Sequence, residues 1–178
     1  FNQRIGALMK AGVVELVAST FADNPLPYFD QAYINDNVAL SNRTLTSIYG
    51  MAPSSKVFWI PERIIDEGVL SKVSGLGYSH IFADQFRHIF DRFGRQSALL
   101  DDGYRINRMN GLNTIVINDQ ASSFRFLNTD NGLDINLRQL VSRKARSGEQ
   151  HQLLVLYSDW SDFRSKTNAD AYDKNVAW

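Results

Sequence analysis

Two carboxylates in this chain stand where nucleophilic and acid–base chemistry is commonly mounted. Glu62 follows the apolar run Val57-Phe58-Trp59-Ile60, which reads as a buried strand, and Pro61 rules out a simple continuation of the ladder. Asp159 stands just past a second apolar run, Leu153-Leu154-Val155-Leu156-Tyr157. A charged residue at the carboxyl end of a strand, ahead of a helix, is the position from which α/β and barrel enzymes act. A pair of such carboxylates is the minimum equipment for cleaving or transferring a glycosidic bond. Each also has a plainer reading as a loop acid or helix N-cap, which spacing alone leaves open.

The elements that must position these residues follow from periodicity and punctuation. Ile5, Leu8 and Met9 recur at helical spacing and predict a first helix, stopped by Gly12. Residues 13–18 then read as a strand, 20–27 as a loop and 29–49 as a long helix closed by Gly50 and Pro53. A strand is predicted over 56–60, a helix over 64–76 ended by Gly77, and a strand over 78–83 leading into Asp84. Residues 86–103 are less regular and contain the turn Asp101-Asp102-Gly103. Residues 104–109 and 113–117 flank Asn110-Gly111, a favoured two-residue hairpin turn. A helix over 135–147 and a strand over 152–157 complete the pattern. Strands alternating with crossover helices imply an α/β fold with a mostly parallel sheet, open or closed into a barrel. Residues 1–178 read as a single, partial domain without internal repeats or a low-complexity linker.

Composition narrows the function classes. A hydrophobic content of 44% over 178 residues supports one substantial core and argues against disorder. The 19 basic and 19 acidic residues balance, so nothing draws nucleic acid in bulk. No apolar run reaches membrane-spanning length, and no basic amphipathic segment reads as a membrane anchor. The absence of cysteine removes disulfides and thiolate metal sites. The chain opens at Phe1 in a helical pattern and stops at Trp178 in another, which reads as part of a longer protein. Its compartment, cytoplasmic or secreted, is left open.

Three stretches resemble glycoside hydrolase family 57, whose members are retaining enzymes acting on α-glucans. They are Gly12-Val13-Val14-Glu15-Leu16-Val17, Trp59-Ile60-Pro61-Glu62-Arg63 and Asp159-Trp160-Ser161-Asp162-Phe163. They occur in the family's order, and the resemblance runs from about Gly12 to Phe163. It implies an incomplete (β/α)7 barrel-type catalytic core, Glu62 as nucleophile and Asp159 as general acid/base in a double displacement. It further implies that Glu15 lines the sugar site, that the partner is an α-glucan or oligosaccharide, and that no cofactor is needed. The counterparts of the family's first and fifth stretches are absent. Within the fourth, Ser161 stands where the family usually has a glutamate, and Asp162 is one residue along. That departure carries the rival reading, a catalytically impaired carbohydrate-binding or structural homologue.

Further candidates are weighed on their own chemistry. Trp59 offers an aromatic platform for a sugar ring or ordinary core packing; Trp160, next to Asp159, reads as a site wall. Asp159 lies between Tyr157 and Trp160, where partial desolvation favours the protonated form that an acid needs. Glu15 interrupts an apolar run and would be costly to bury without a partner. Arg63 sets a guanidinium beside Glu62 and counts, with Glu15, Trp59, Asp84 and Trp160, among the expected substrate-binding residues. Asp84 would orient Arg63 or a sugar hydroxyl, or cap the helix that follows. His80, His88 and His151 lack metal-ligand spacing, so no metal is expected. The basic run at 138–146 reads as a solvated helix face, and Phe82, Phe86, Phe90 and Phe93 as packing. A metal-dependent deacetylase on a related barrel is a third, weaker reading.

Overall fold

The computed structural model describes residues 1–90, 104–118, 138, 141, 142, 153, 155 and 157. Contacts group the chain into two compact units, Phe1–Phe82 with Arg108–Thr114, and Ala83–Asn107 with Ile115–Trp178. The four-stranded sheet has the order β1-β2-β4-β3, with β1 Val57–Phe58, β2 His80–Asp84, β3 Asn107–Met109 and β4 Leu112–Ile117.

The first unit begins with helix α1, Asn2–Lys10. Gly12, at φ 71°, lets its own N–H bond Met9 O at 3.0 Å and the Val13 N–H bond Leu8 O at 2.9 Å. That left-handed stop satisfies carbonyls the last turn would leave open. Helix α2, Gln31–Tyr49, starts where the Asp30 carboxylate accepts the Tyr33 N–H and ends at Gly50. Its buried stripe is Ile34, Val38 and Ser41, at spacings of one and two turns.

Strand β1 pairs with β2 in parallel, Val57 opposite His80 and Phe58 opposite Ile81. Helix α3, Glu67–Gly75, is the crossover between them, capped by Asp66 accepting the Val69 N–H. Phe58, Ile60, Val69, Leu70, Val73 and Ile81 are all at most 1% exposed and form the core beneath β1 and α3. The hairpin turn between β3 and β4 is Asn110-Gly111, with φ 46° and 83°, both left-handed as a two-residue turn requires.

Several expectations are corrected. The predicted strand at 13–18 is reduced to a single parallel bridge, Ala18 to Phe58. The Trp59 N–H reaches Ala18 O at 2.8 Å, but the Val57 N–H, on the same side of β1, bonds Ser55 Oγ at 3.1 Å instead. With that donor diverted, the ladder does not extend upstream. The predicted helix start near Ile64 moves to Glu67, because Glu62 and Arg63 are left-handed and Ile64 is extended, at φ −84° and ψ 105°. The irregular stretch after Asp84 begins with an ordered π-helical turn, Gln85–Phe90.

In the second unit Ile89, Tyr104, Val116, Ile117 and Asn118 are buried. Leu153, Val155 and Tyr157, from the predicted strand 152–157, are not in a strand. Leu153 N–H nevertheless bonds Tyr104 O at 2.6 Å. Of the predicted helix 135–147, positions 138, 141 and 142 are helical. The turn at 101–103, the remainder of that helix, His151, Asp159, Trp160, Ser161 and Asp162 lie outside the described residues.

Candidate active site

Glu62 is displayed by a tight turn at the carboxyl end of β1. Ile60 is buried, Pro61 contributes no N–H, and the Arg63 N–H returns to Ile60 O at 3.0 Å. Closing the chain this way leaves Glu62 at φ 54° and Arg63 at φ 49°. Two successive non-glycine residues in the left-handed region cost of order 1–3 kcal/mol each and persist only where the surroundings over-determine them. The result is a carboxylate exposed to solvent directly beyond a parallel strand.

Contacts within the same unit support the turn. The Arg63 guanidinium carbon lies 5.4 Å from the centroid of the Trp59 ring, over its face. Trp59 is half-buried, with its ring 5.9 Å from that of Phe82 at an interplanar angle of 55°. Its backbone is held at both ends, since Trp59 N–H donates to Ala18 O and Trp59 O accepts Ser19 Oγ–H at 2.9 Å. Sequence reasoning singled out Trp59, Glu62 and Arg63, and the structure brings these three together.

Asp84 closes β2 and is 3% exposed. The π-helical turn carries His88 back so that its Nδ1 accepts the Asp84 backbone N–H at 2.8 Å. An Nδ1 engaged as acceptor places the ring proton of neutral His88 on Nε2. The 3.9 Å separation between His88 Nδ1 and Asp84 Oδ2 is therefore an approach and not a hydrogen bond. Beside them in this unit Asn118, fully buried, donates to Gln85 Oε1 at 3.2 Å. Its own Oδ1 accepts the Val155 N–H at 2.8 Å, and its N–H donates to Val155 O at 2.9 Å. Asn118 thus grips the main chain four residues before Asp159. Sequence reasoning missed Asn118 and left His88 unassigned; the available signal was a polar residue ending the alternating run of β4.

Glu15 is exposed and is not brought to the Glu62 turn. It borders a pocket of about 200 Å³ with Met9, Val14, Met51 and Ser54. Ser54 precedes β1 and Glu15 precedes the Ala18 bridge, whereas Glu62 follows β1, so the two carboxylates lie toward opposite ends of the strands. Among the described residues no three His, Asp or Glu side chains gather as a metal site. His80 is accounted for by Ser79 Oγ at 2.9 Å from Nδ1 and Asn113 Nδ2 at 3.1 Å from Nε2.

The model described as glycosyl hydrolase family 57 matches residues 3–170. The chain belongs to glycosyl hydrolase family 57. Among solved structures it is similar to the 4-alpha-glucanotransferase from Thermococcus litoralis, with a TM-score of 0.72 and 15% identity over 99% of this chain and 27% of that one. It is also similar to a family 57 branching enzyme from Thermococcus kodakaraensis, with a TM-score of 0.59 and 12% identity over 98% of this chain and 46% of that one. At these identities the likeness is one of fold, a mixed α/β architecture with a mostly parallel sheet. The chain spans about a quarter of the glucanotransferase's length and under half of the branching enzyme's. No curated protein matches it.

Proposed function

We propose that this family 57 chain forms part of the catalytic barrel of a retaining glycoside hydrolase or transglycosylase that acts on α-glucans. The observation that carries the reading is Glu62, a solvent-exposed carboxylate held in strained left-handed backbone at the carboxyl end of a parallel strand. Membership of family 57 and fold neighbours named for glucan transfer and branching support the substrate class.

In this reading Glu62 attacks the anomeric carbon as Asp159 donates a proton to the departing glycosidic oxygen, leaving a glycosyl ester on Glu62. Asp159 then takes a proton from water, or from a sugar hydroxyl in transfer, and that oxygen displaces Glu62. Two successive inversions retain the anomeric configuration and require the two carboxyl groups roughly 5–5.5 Å apart. Trp59, Arg63, Asp84 and Trp160 are the proposed supporting residues of this site; Glu15, bordering the pocket ahead of β1, is not among them.

The test uses the full-length protein that carries this chain, assayed for reducing-sugar release and oligosaccharide redistribution on maltooligosaccharides, amylose and pullulan. Glu62→Gln is expected to lower kcat at least about a thousandfold, and Asp159→Asn about a hundredfold or more. The first-formed product should keep the α configuration by NMR. Wild-type turnover in Glu62→Gln would remove the nucleophile assignment. The second reading, a carbohydrate-binding homologue without turnover, rests on Ser161. It is favoured if neither protein turns over and both bind maltooligosaccharide equally.

A further inference from the structure

Glu62 and Arg63 share a backbone conformation that neither residue type favours, yet their side chains do different things. Glu62 is exposed, whereas Arg63 is half-buried with its guanidinium over the Trp59 indole, 5.4 Å from the ring centroid. Trp59 and Arg63 stand on either side of the Pro61-Glu62 step, so the stack closes a small loop around the carboxylate-bearing residue. The loop is anchored at its Trp59 end. The Trp59 N–H and C=O are bonded to Ala18 and Ser19, and its ring meets Phe82 at 5.9 Å. Arg63 closes the other end with its N–H on Ile60 O at 3.0 Å. A guanidinium spread on an aromatic face is attracted to it electrostatically and loses little rotamer freedom in forming the contact. The handedness of residues 62 and 63 decides where the Glu62 side chain leaves the backbone. Whatever holds that handedness therefore aims the carboxylate.

We propose that Arg63 is a positioning residue: seated on Trp59, it holds the 62–63 turn left-handed and so sets the direction of the Glu62 carboxylate. This assigns Trp59 to the scaffold under the turn, with Arg63 covering one face of its ring. The proposal rests on the reading of Glu62 as nucleophile.

The test compares Arg63→Ala, Arg63→Lys and Trp59→Leu in the full-length protein on a 4-nitrophenyl α-maltooligoside, with thermal melts to establish folding. An error of about 1 Å in placing a reacting group can cost about a hundredfold in rate. Arg63→Ala and Trp59→Leu are accordingly expected to lower kcat roughly ten- to a hundredfold while KM changes less than about threefold. The double variant should lose less than the two single losses combined, because both remove the same stack. Arg63→Lys, which keeps the charge and loses the plane, should fall between wild type and Arg63→Ala. Should Arg63→Ala not fold, Arg63→Lys carries the comparison.

A second arm uses Glu62→Ala supplied with azide as an external nucleophile. Arg63→Lys should lower the azide-dependent rate several-fold less than it lowers kcat in the protein that keeps Glu62, because the carboxylate that Arg63 aims is already gone. A rate that falls in step with the Arg63 substitution, or a KM that rises while kcat is kept, shows Arg63 acting on substrate and overturns the proposal. Wild-type kcat in both Arg63 variants alongside an inactive Glu62→Gln overturns it alone. Full activity in Glu62→Gln removes the nucleophile reading and this proposal with it.

Discussion

Positions 62 and 63 sit at φ 54° and 49°, while the Asn110-Gly111 turn uses φ 46° and 83° with residues suited to them. The contrast locates the strain. A hairpin turn recruits Asn and Gly because left-handed backbone is cheap for them; Glu and Arg have no such excuse, so something other than stability selects them at the end of β1. Glycine reaches φ 54° without a Cβ clash. Glu62→Gly is therefore expected to stabilise the fold by about 1 kcal/mol in thermal or denaturant unfolding while abolishing turnover. A lower melting temperature instead would mean that the Glu62 side chain contributes to the fold and that the turn is not strained. Sequence reading placed Glu62 beyond a strand from Pro61 and the apolar run before it. It did not reach the handedness, which depends on the Arg63 N–H returning to Ile60 O and on Arg63 meeting Trp59.

Helices α1 and α2 meet at a glycine. A Cβ built on Gly6 would stand 2.7 Å from Tyr49 O, a backbone atom in the last turn of α2. Helix propensity favours Ala over Gly by about 1 kcal/mol, and overpacking costs about 1–3 kcal/mol. Because the clash is with backbone and cannot be relieved by a rotamer, the packing term wins. Gly6→Ala is expected to destabilise the protein by about 1–2 kcal/mol, read from urea midpoints. An unchanged or higher midpoint would show that the two helices separate freely. Gly6 gave no hint of this in the sequence, where an isolated glycine in a helical pattern reads only as tolerated. The end of α2 was legible because Gly50 acts through its own neighbours, while its start, read at 29, falls where the Asp30 carboxylate caps the first turn. The fate of residues 13–18 was not, because a run of Val, Leu and Ala reads as a strand whether or not a ladder receives it. Here Ser55 Oγ takes the Val57 donor that would have extended the pairing.

For the molecule as a whole, family 57 membership and the fold likeness agree, and the chain spans 27% of one structural neighbour and 46% of another. The two-carboxylate mechanism needs no metal. Prolonged dialysis against EDTA is therefore expected to leave glucan turnover within about twofold of the untreated protein. The metal-dependent deacetylase reading forecasts the opposite, a loss of activity restored by zinc or nickel.

The sequence by itself determined what neighbouring residues dictate: the long helix read over 29–49 and closed by Gly50, the Asn110-Gly111 hairpin, and a carboxylate set just past a buried strand at Glu62. It also carried enough of three family stretches to indicate family 57. Each of these is written in side chains acting within a few positions of one another, through caps, turn dihedrals and the ring of Pro61. Only the tertiary structure decided that Glu15 borders a pocket toward the opposite end of the strands from Glu62, and that Trp59 carries Arg63. The grip of Asn118 on the main chain at Val155 is of the same kind. Those outcomes depend on which distant segments supply the partner donor, acceptor or ring face, and no local pattern encodes that choice.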